Sequence, residues 1–199
     1  METVVFDLGG VLIDWNPRYL YRKLFNDDAA MEHFLTEICS PAWNVQMDEG
    51  KPFAVAVEEL SAQHTEHETM IRAYHQRWPE MIDDAIPGTV ALLEQLTETD
   101  VRLHALTNWS AETFPIARQR FSFLGHFETI LVSGEEKLIK PDPAIFRLLA
   151  ERTGLEPTNT LFIDDSERNI TAAKELGFFA HHFSSPDALE QELQELGLL

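Results

Sequence analysis

Asp7, Thr107, Asn108, Asp164 and Asp165 each stand at or directly after the end of an apolar run, and Lys140 precedes a Pro-Asp-Pro stretch. Brought to one edge of a sheet, they would make a site of carboxylates, a hydroxyl and one fixed cation. Three nearby carboxylates repel one another. They relieve this either by a raised pKa or by binding a hard cation. Oxygen ligands with positions left for water suit Mg²⁺, which takes one or two carboxylates together with substrate phosphate. Lys140 supplies positive charge and Thr107 a hydroxyl. Helix N-termini nearby supply N–H groups for phosphoryl oxygens. In such a site Asp7 serves as a nucleophile on phosphorus, forming an aspartyl-phosphate that water then hydrolyses. The metal offsets the charge that keeps two anions apart.

The chemistry depends on the elements that deliver these residues. Thr3 to Phe6 is apolar and β-branched, as in a strand buried on both faces of a parallel sheet, with Asp7 at its carboxyl end. Gly9 and Gly10 follow, a pair free to take backbone angles closed to other residues. Taken alone, Asp7 before two glycines reads as a turn residue. Asn16-Pro17 predicts a helix start, and from there to about Asp84 the apolar spacing is helical, with no convincing strand. Ile86-Pro87-Gly88 marks a change to regular alternation. Strands are predicted at 101–107, 129–133, 160–164 and 178–183. Helices are predicted at 89–97, 110–120, from Asp142-Pro143 to Gly154, from Ser166 to Gly177, and from Ser185-Pro186 onward. The expected fold is α/β, a doubly wound, Rossmann-like parallel sheet formed by residues 1–14 and 85–199, with residues 15–84 as an inserted helical cap. In an open sheet of this kind ligands bind beyond the carboxyl ends of the strands.

Composition narrows the partners. The chain has 199 residues, 34 acidic against 15 basic, and a formal net charge of -19. That balance disfavours nucleic acid and anionic membranes, and it makes a local cation necessary for any phosphorylated substrate. Cys39 is the single cysteine, which fits a reducing compartment and leaves no cysteine-based metal site. No stretch has the length of a membrane span and no signal peptide is recognised, so the cytoplasm is the expected location.

Phe6-Asp-Leu-Gly-Gly-Val-Leu12, Leu106-Thr-Asn-Trp109, Lys140-Pro-Asp-Pro-Ala-Ile-Phe146 and Phe162-Ile-Asp-Asp-Ser166 with Asn169 occur in the order of the motifs of the haloacid dehalogenase-like hydrolases. The chain resembles that superfamily over nearly its whole length. It is most similar there to small bacterial phosphatases of sugar phosphates such as glucose 1-phosphate. The resemblance implies Asp7 as nucleophile and Mg²⁺ ligand, the Gly9 carbonyl as a further ligand, and Thr107 and Asn108 as phosphoryl contacts. Lys140 would hold nucleophile and phosphate together. Asp164 and Asp165 would complete the metal site, with Asp165 favoured for direct coordination. The substrate would be a small phosphorylated metabolite, the protein a monomer or homodimer.

One departure stands out. Most phosphatases of the superfamily carry a second Asp two residues after the nucleophile as general acid and base; here that position is Gly9. A surrogate acid from the cap is one remedy, and Asp14 is the nearest in sequence, with a polar residue at the cap hinge as its default. Relatives that dehalogenate 2-haloacids also lack the second Asp, but they use no metal, and Asp164-Asp165 argues against that chemistry. A catalytically weak binding protein is the remaining alternative. Trp15, Trp43 and Met47 could line a pocket, with core packing as the default, and Trp109 either lines the pocket mouth or packs against the next helix. Arg18, Arg22 and Lys23 could bind a second anion, with a solvated helix face as the default. His181-His182 alternate across a strand and make a poor metal pair.

Overall fold

The computed structural model describes residues 1–199. Strand β1 (Thr3–Phe6) leads through a short strand, β2 (Ile13–Trp15), into a helical segment: α1 (Arg18–Tyr21), α2 (Asp28–His33), a π-helical turn at Phe34–Ile38, α3 (Pro41–Asp48), α4 (Phe53–Gln63) and α5 (Glu68–Gln76). Strand β3 (Ile82–Ala85) closes that segment. Helices and strands then alternate: α6 (Pro87–Leu96), β4 (Arg102–Thr107), α7 (Phe114–Arg120), β5 (Thr129–Val132), α8 (Ser133–Glu136), α9 (Pro143–Thr153), β6 (Thr160–Asp164), α10 (Glu167–Glu175), β7 (Phe179–His182) and α11 (Pro186–Glu195).

Five of the strands form one parallel sheet in the order β5-β4-β1-β6-β7. The opening apolar run thus lies at its centre. Alternate residues of a strand face opposite ways. Val4 and Phe6 join an apolar cluster that includes Leu93 of α6 and Leu189 of α11. Val5 joins a second cluster with Phe146 of α9 and Ile170 of α10. Both faces are covered, which is why β1 carries no polar alternation. The larger cluster runs on into the helical segment through Tyr21, Phe34, Tyr74 and Trp78, so sheet and helices share apolar contact. No helix is long and apolar enough to cross a membrane.

Local signals in the sequence account for several helix ends. The Asp142 carboxylate accepts the Ala144 N–H and Gly154 stops α9 at φ 69°. The Ser185 hydroxyl accepts the Ala188 N–H at the start of α11. The N-cap of α1 is Pro17 rather than the expected Asn16, whose side-chain oxygen lies one residue earlier and accepts the Arg18 N–H at 3.0 Å. Two further expectations need correction. Residues 82–85 form a strand, antiparallel to β2, with Ile13 opposite Ala85 and Trp15 opposite Ile82. This ribbon is short, and Asp83 and Asp84 are exposed in succession, so it shows neither an apolar run nor clean alternation. The predicted helix at 110–120 begins only at Phe114. Ahead of it the Ser110 hydroxyl accepts the Glu112 N–H, a local bond that competes with helix.

His104 lies in β4, fully buried, with neither ring nitrogen hydrogen-bonded. Burial holds its pKa below the usual value, with Arg102 adding to the depression and Glu128 opposing it. The neutral ring is therefore the folded form, and the stability it permits is present above the unfolded pKa of about 6.5 and lost as pH falls below it. His104→Leu should gain stability over wild type in urea titrations, and the gain should widen from pH 7.5 to pH 5.5. A gap that stays constant with pH would contradict this assignment.

Candidate active site

The carboxyl ends of β1, β4 and β6 meet at one edge of the sheet, and the loop carrying Lys140 crosses it. Lys140 is 1% exposed, and its ammonium is fully used. It donates to the Leu106 carbonyl at 2.8 Å and to Asp164 Oδ2 at 2.6 Å, and it stands 3.0 Å from Asp7 Oδ1. Burial by itself would lower the lysine pKa; the charges of Asp164 and Asp7 outweigh it, so the ammonium is held above its usual value. Its backbone is tied down as well. The Asn108 amide accepts the Lys140 N–H at 2.9 Å and donates to the Lys140 carbonyl at 3.0 Å.

The carboxylates differ in what already holds them. Asp164 is fully buried. Besides Lys140 it accepts the Ser166 N–H at 2.8 Å and the Asn169 amide at 3.0 Å. Asp7 takes the Leu8 N–H at 2.7 Å on Oδ1, the oxygen that also faces Lys140, which leaves Oδ2 without a protein donor. Burial pushes the Asp7 carboxyl up to about 7; Asp164 and Asp165 push the same way and Lys140 opposes them. Asp165 is the most open of the three, and partial desolvation of its carboxyl, followed by the charge of Asp164, raises its pKa too. One oxygen from each of Asp7, Asp164 and Asp165 falls within 4.8 Å of the others. An all-oxygen donor set, with carboxyls raised by burial and further by mutual repulsion, fits a hard divalent cation such as Mg²⁺. Thr107 ends β4 beside this cluster and is 1% exposed.

The two glycines have separate roles. Gly10 has φ +77°, and a Cβ there would collide with the Asp165 carboxylate. Gly9 has no such constraint, and a Cβ on it would meet nothing within 4 Å. That open space belongs to a cavity of about 90 Å³, walled by Gly9, Trp15, Asp48, Trp78, Asn108 and Trp109 among others.

The geometry supports a hydrolase and the family model concurs: the description haloacid dehalogenase-like hydrolase matches residues 1–177. The chain belongs to this family. A sesquiterpene phosphatase of Aspergillus oryzae is 26% identical, over 98% of this chain and 96% of that one. A phosphorylated carbohydrates phosphatase of Thermotoga maritima is 24% identical, over 89% of this chain and 82% of that one. A solved HAD family enzyme of Bacteroides thetaiotaomicron, in complex with magnesium and inorganic phosphate, superposes with a TM-score of 0.70 at 25% identity, covering 93% of this chain and 95% of that one.

Several sequence-level candidates of this HAD hydrolase fall elsewhere. Asp14 accepts the Tyr19 hydroxyl at 2.7 Å and does not line the cavity. Trp43 and Met47 are core residues, whereas Trp15 and Trp109 do reach the cavity wall. Arg18 pairs with Glu32 at 2.5 Å and Lys23 with Glu80 at 2.9 Å. His181 stands 3.5 Å from Glu192, while His182 meets the Asp165 carbonyl at 2.9 Å. Asn44, Asp48, Phe53 and Trp78, which also wall the cavity, are not singled out by motif or composition. The one available signal is the i, i+4 spacing of Asn44 and Asp48, which puts both on one face of α3.

Lys140→Met leaves Asp7 and Asp164 buried without their cation. Urea denaturation in chelator should show a loss of about 3–5 kcal/mol, the usual effect of removing one member of a buried ion pair. A loss under about 1 kcal/mol would mean the ammonium does not hold this edge together.

Proposed function

We propose that this protein is a Mg²⁺-dependent phosphatase of small phosphorylated metabolites, with residues 15–84 acting as a helical cap over a core of residues 1–14 and 85–199. The observation that carries the reading is the cluster of Asp7, Lys140, Asp164 and Asp165 at the sheet edge. The named relatives differ in the alcohol they act on but share the phosphate ester. Sugar phosphates are the class we favour. All the residues invoked come from one chain, so a monomer suffices. A single buried cysteine fits work in the cytoplasm.

Asp7 presents Oδ2, the oxygen no protein donor occupies, to phosphorus. Lys140, held between Asp7 and Asp164, neutralises charge as phosphoryl oxygens approach. The Thr107 hydroxyl and backbone N–H groups at the strand ends take up the phosphoryl oxygens. Asn108 positions the Lys140 loop through its paired bonds and sits at the cavity wall beside the phosphoryl site. Asp7, Asp165 and the Gly9 carbonyl would hold Mg²⁺. Asp164, already bound by three donors, contributes through Lys140 and across the cluster. The bound ion supplies Lewis-acid compensation of the charge shared by nucleophile and phosphate. Bond formation from Asp7 to phosphorus expels the alcohol, and water then hydrolyses the acyl phosphate. Paired acidic residues serve no purpose in metal-free dehalogenation, so that alternative ranks second.

Wild-type protein should hydrolyse p-nitrophenyl phosphate with Mg²⁺ and lose this with chelator or in Asp7→Asn. Chloride release from 2-chloropropionate in chelator would overturn the reading. With no acid at position 9, esters of poor leaving groups should be slow. Gly9→Asp has room for its side chain, and it should raise kcat for alkyl phosphates by up to the ~10²–10⁴ that general acid–base help supplies. It should change p-nitrophenyl phosphate far less, because that leaving group needs no proton. Equal effects on both esters would show that Gly9 is not where the acid is missing.

A further inference from the structure

We infer that the cavity beside Gly9 selects an alcohol that carries hydroxyl groups but no second negative charge, and that Asp48 is the specificity-determining residue. The inference deepens the phosphatase reading and rests on it for the orientation of the ester, with phosphate at Asp7 and alcohol in the cavity.

Charge is the first argument. None of the residues walling the cavity is a lysine, arginine or histidine, and Asp48 is its one ionisable acid. Most cations elsewhere in the helical segment are engaged: Arg18 with Glu32, Lys23 and Arg77 with Glu80, Lys51 with Glu59, and Arg72 with Glu58 and Glu68; Arg22 is exposed and is not part of the cavity wall. His75 stands 3.7 Å from Glu112. A carboxylate or second phosphate on the alcohol would therefore lose water, gain no cation and face Asp48. Burying an unpaired charge is among the least favourable events in a protein interior.

Rigidity is the second. Asp48 ends α3, and its carbonyl accepts the Ser133 hydroxyl at 2.5 Å. Its carboxylate accepts the Asn44 amide at 2.9 Å and a backbone N–H from Ser110. Asn44 in turn accepts the Tyr74 hydroxyl at 3.0 Å. With α3, α5 and the sheet edge all holding it, Asp48 has no easy way to swing aside for an anion. Burial pushes its carboxyl up to about 7, with the Ser110 N–H opposing and Glu49 reinforcing the shift. Assays at pH 8 therefore observe mainly the carboxylate.

The remaining wall suits a polyol. Trp15, Trp78 and Trp109 offer apolar faces to C–H groups, and Asp48 offers acceptor oxygens to hydroxyls.

The test uses two esters that differ by one group: glycerol 3-phosphate and 3-phosphoglycerate, in which a carboxylate replaces CH₂OH. At pH 8 with Mg²⁺, wild-type kcat/KM should favour glycerol 3-phosphate by at least about tenfold, the scale of a specificity set by repulsion. Asp48→Asn, which keeps the shape and one acceptor oxygen while removing the charge, should narrow the gap through a lower KM for 3-phosphoglycerate. Asp48→Ser, checked for a cooperative thermal transition, should narrow it likewise. Equal efficiencies in wild type, or a gap unchanged in both folded variants, would overturn the inference. If no ester is turned over, p-nitrophenyl phosphate included, the phosphatase reading fails. Calorimetric binding of the same two esters then decides this inference: preference for glycerol 3-phosphate supports it, and equal binding refutes it.

Discussion

A lysine buried between two carboxylates is the constraint on which the rest of this structure turns. Asp7 and Asp164 are brought together by neighbouring parallel strands, and neither can be charged there without a cation. Lys140 provides that cation from a loop after β5, and Asn108 at the end of β4 holds the loop by its backbone. One ionic cluster thereby ties the ends of β1, β4 and β6 to the loop between α8 and α9. The arrangement also leaves Asp7 with one oxygen occupied and one open, which a purely structural ion pair would not require.

Such an edge appears in the sequence because its parts obey local rules. A strand buried on both faces must be apolar throughout, so the change to Asp7 or Asp164 is visible at the strand end. Asp142, Gly154 and Ser185 act on their own backbone neighbours and can be read without knowing the fold. The cavity obeys no local rule. Its walls come from the loop after β1, from α3, from residues around Trp78 and from the loop after β4. Asp48 sits among ordinary helix residues, and only the packing of α3 against the loop at Ser110 and the Ser133 hydroxyl turns it inward. The β2–β3 ribbon is hidden for a similar reason, since two short strands far apart in sequence are stabilised by each other and not by their composition. Asp14 illustrates the converse. Sequence proximity suggested it for the missing acid, and the fold spends it on Tyr19.

Gly9 and Gly10 look equivalent in sequence and are not. Gly10 is demanded by a left-handed backbone and by the nearness of Asp165, so it belongs to the geometry of the acidic cluster. Gly9 is demanded by nothing around it, and the space above it opens into the cavity. Where most phosphatases of the superfamily place an acid, this chain has open space, with Asp48 elsewhere on the same cavity wall.

Everything above depends on Asp7 being the atom that attacks phosphorus. Rapid-quench mass spectrometry during turnover of p-nitrophenyl phosphate with Mg²⁺ in ¹⁸O water tests this directly. The account predicts a transient phosphoryl group on the peptide containing Asp7, with ¹⁸O entering released phosphate and none entering the Asp7 carboxylate. Phosphate release with an Asp7 peptide that is never phosphorylated, or ¹⁸O accumulating in the Asp7 carboxylate as attack on an ester carbon would require, would contradict it.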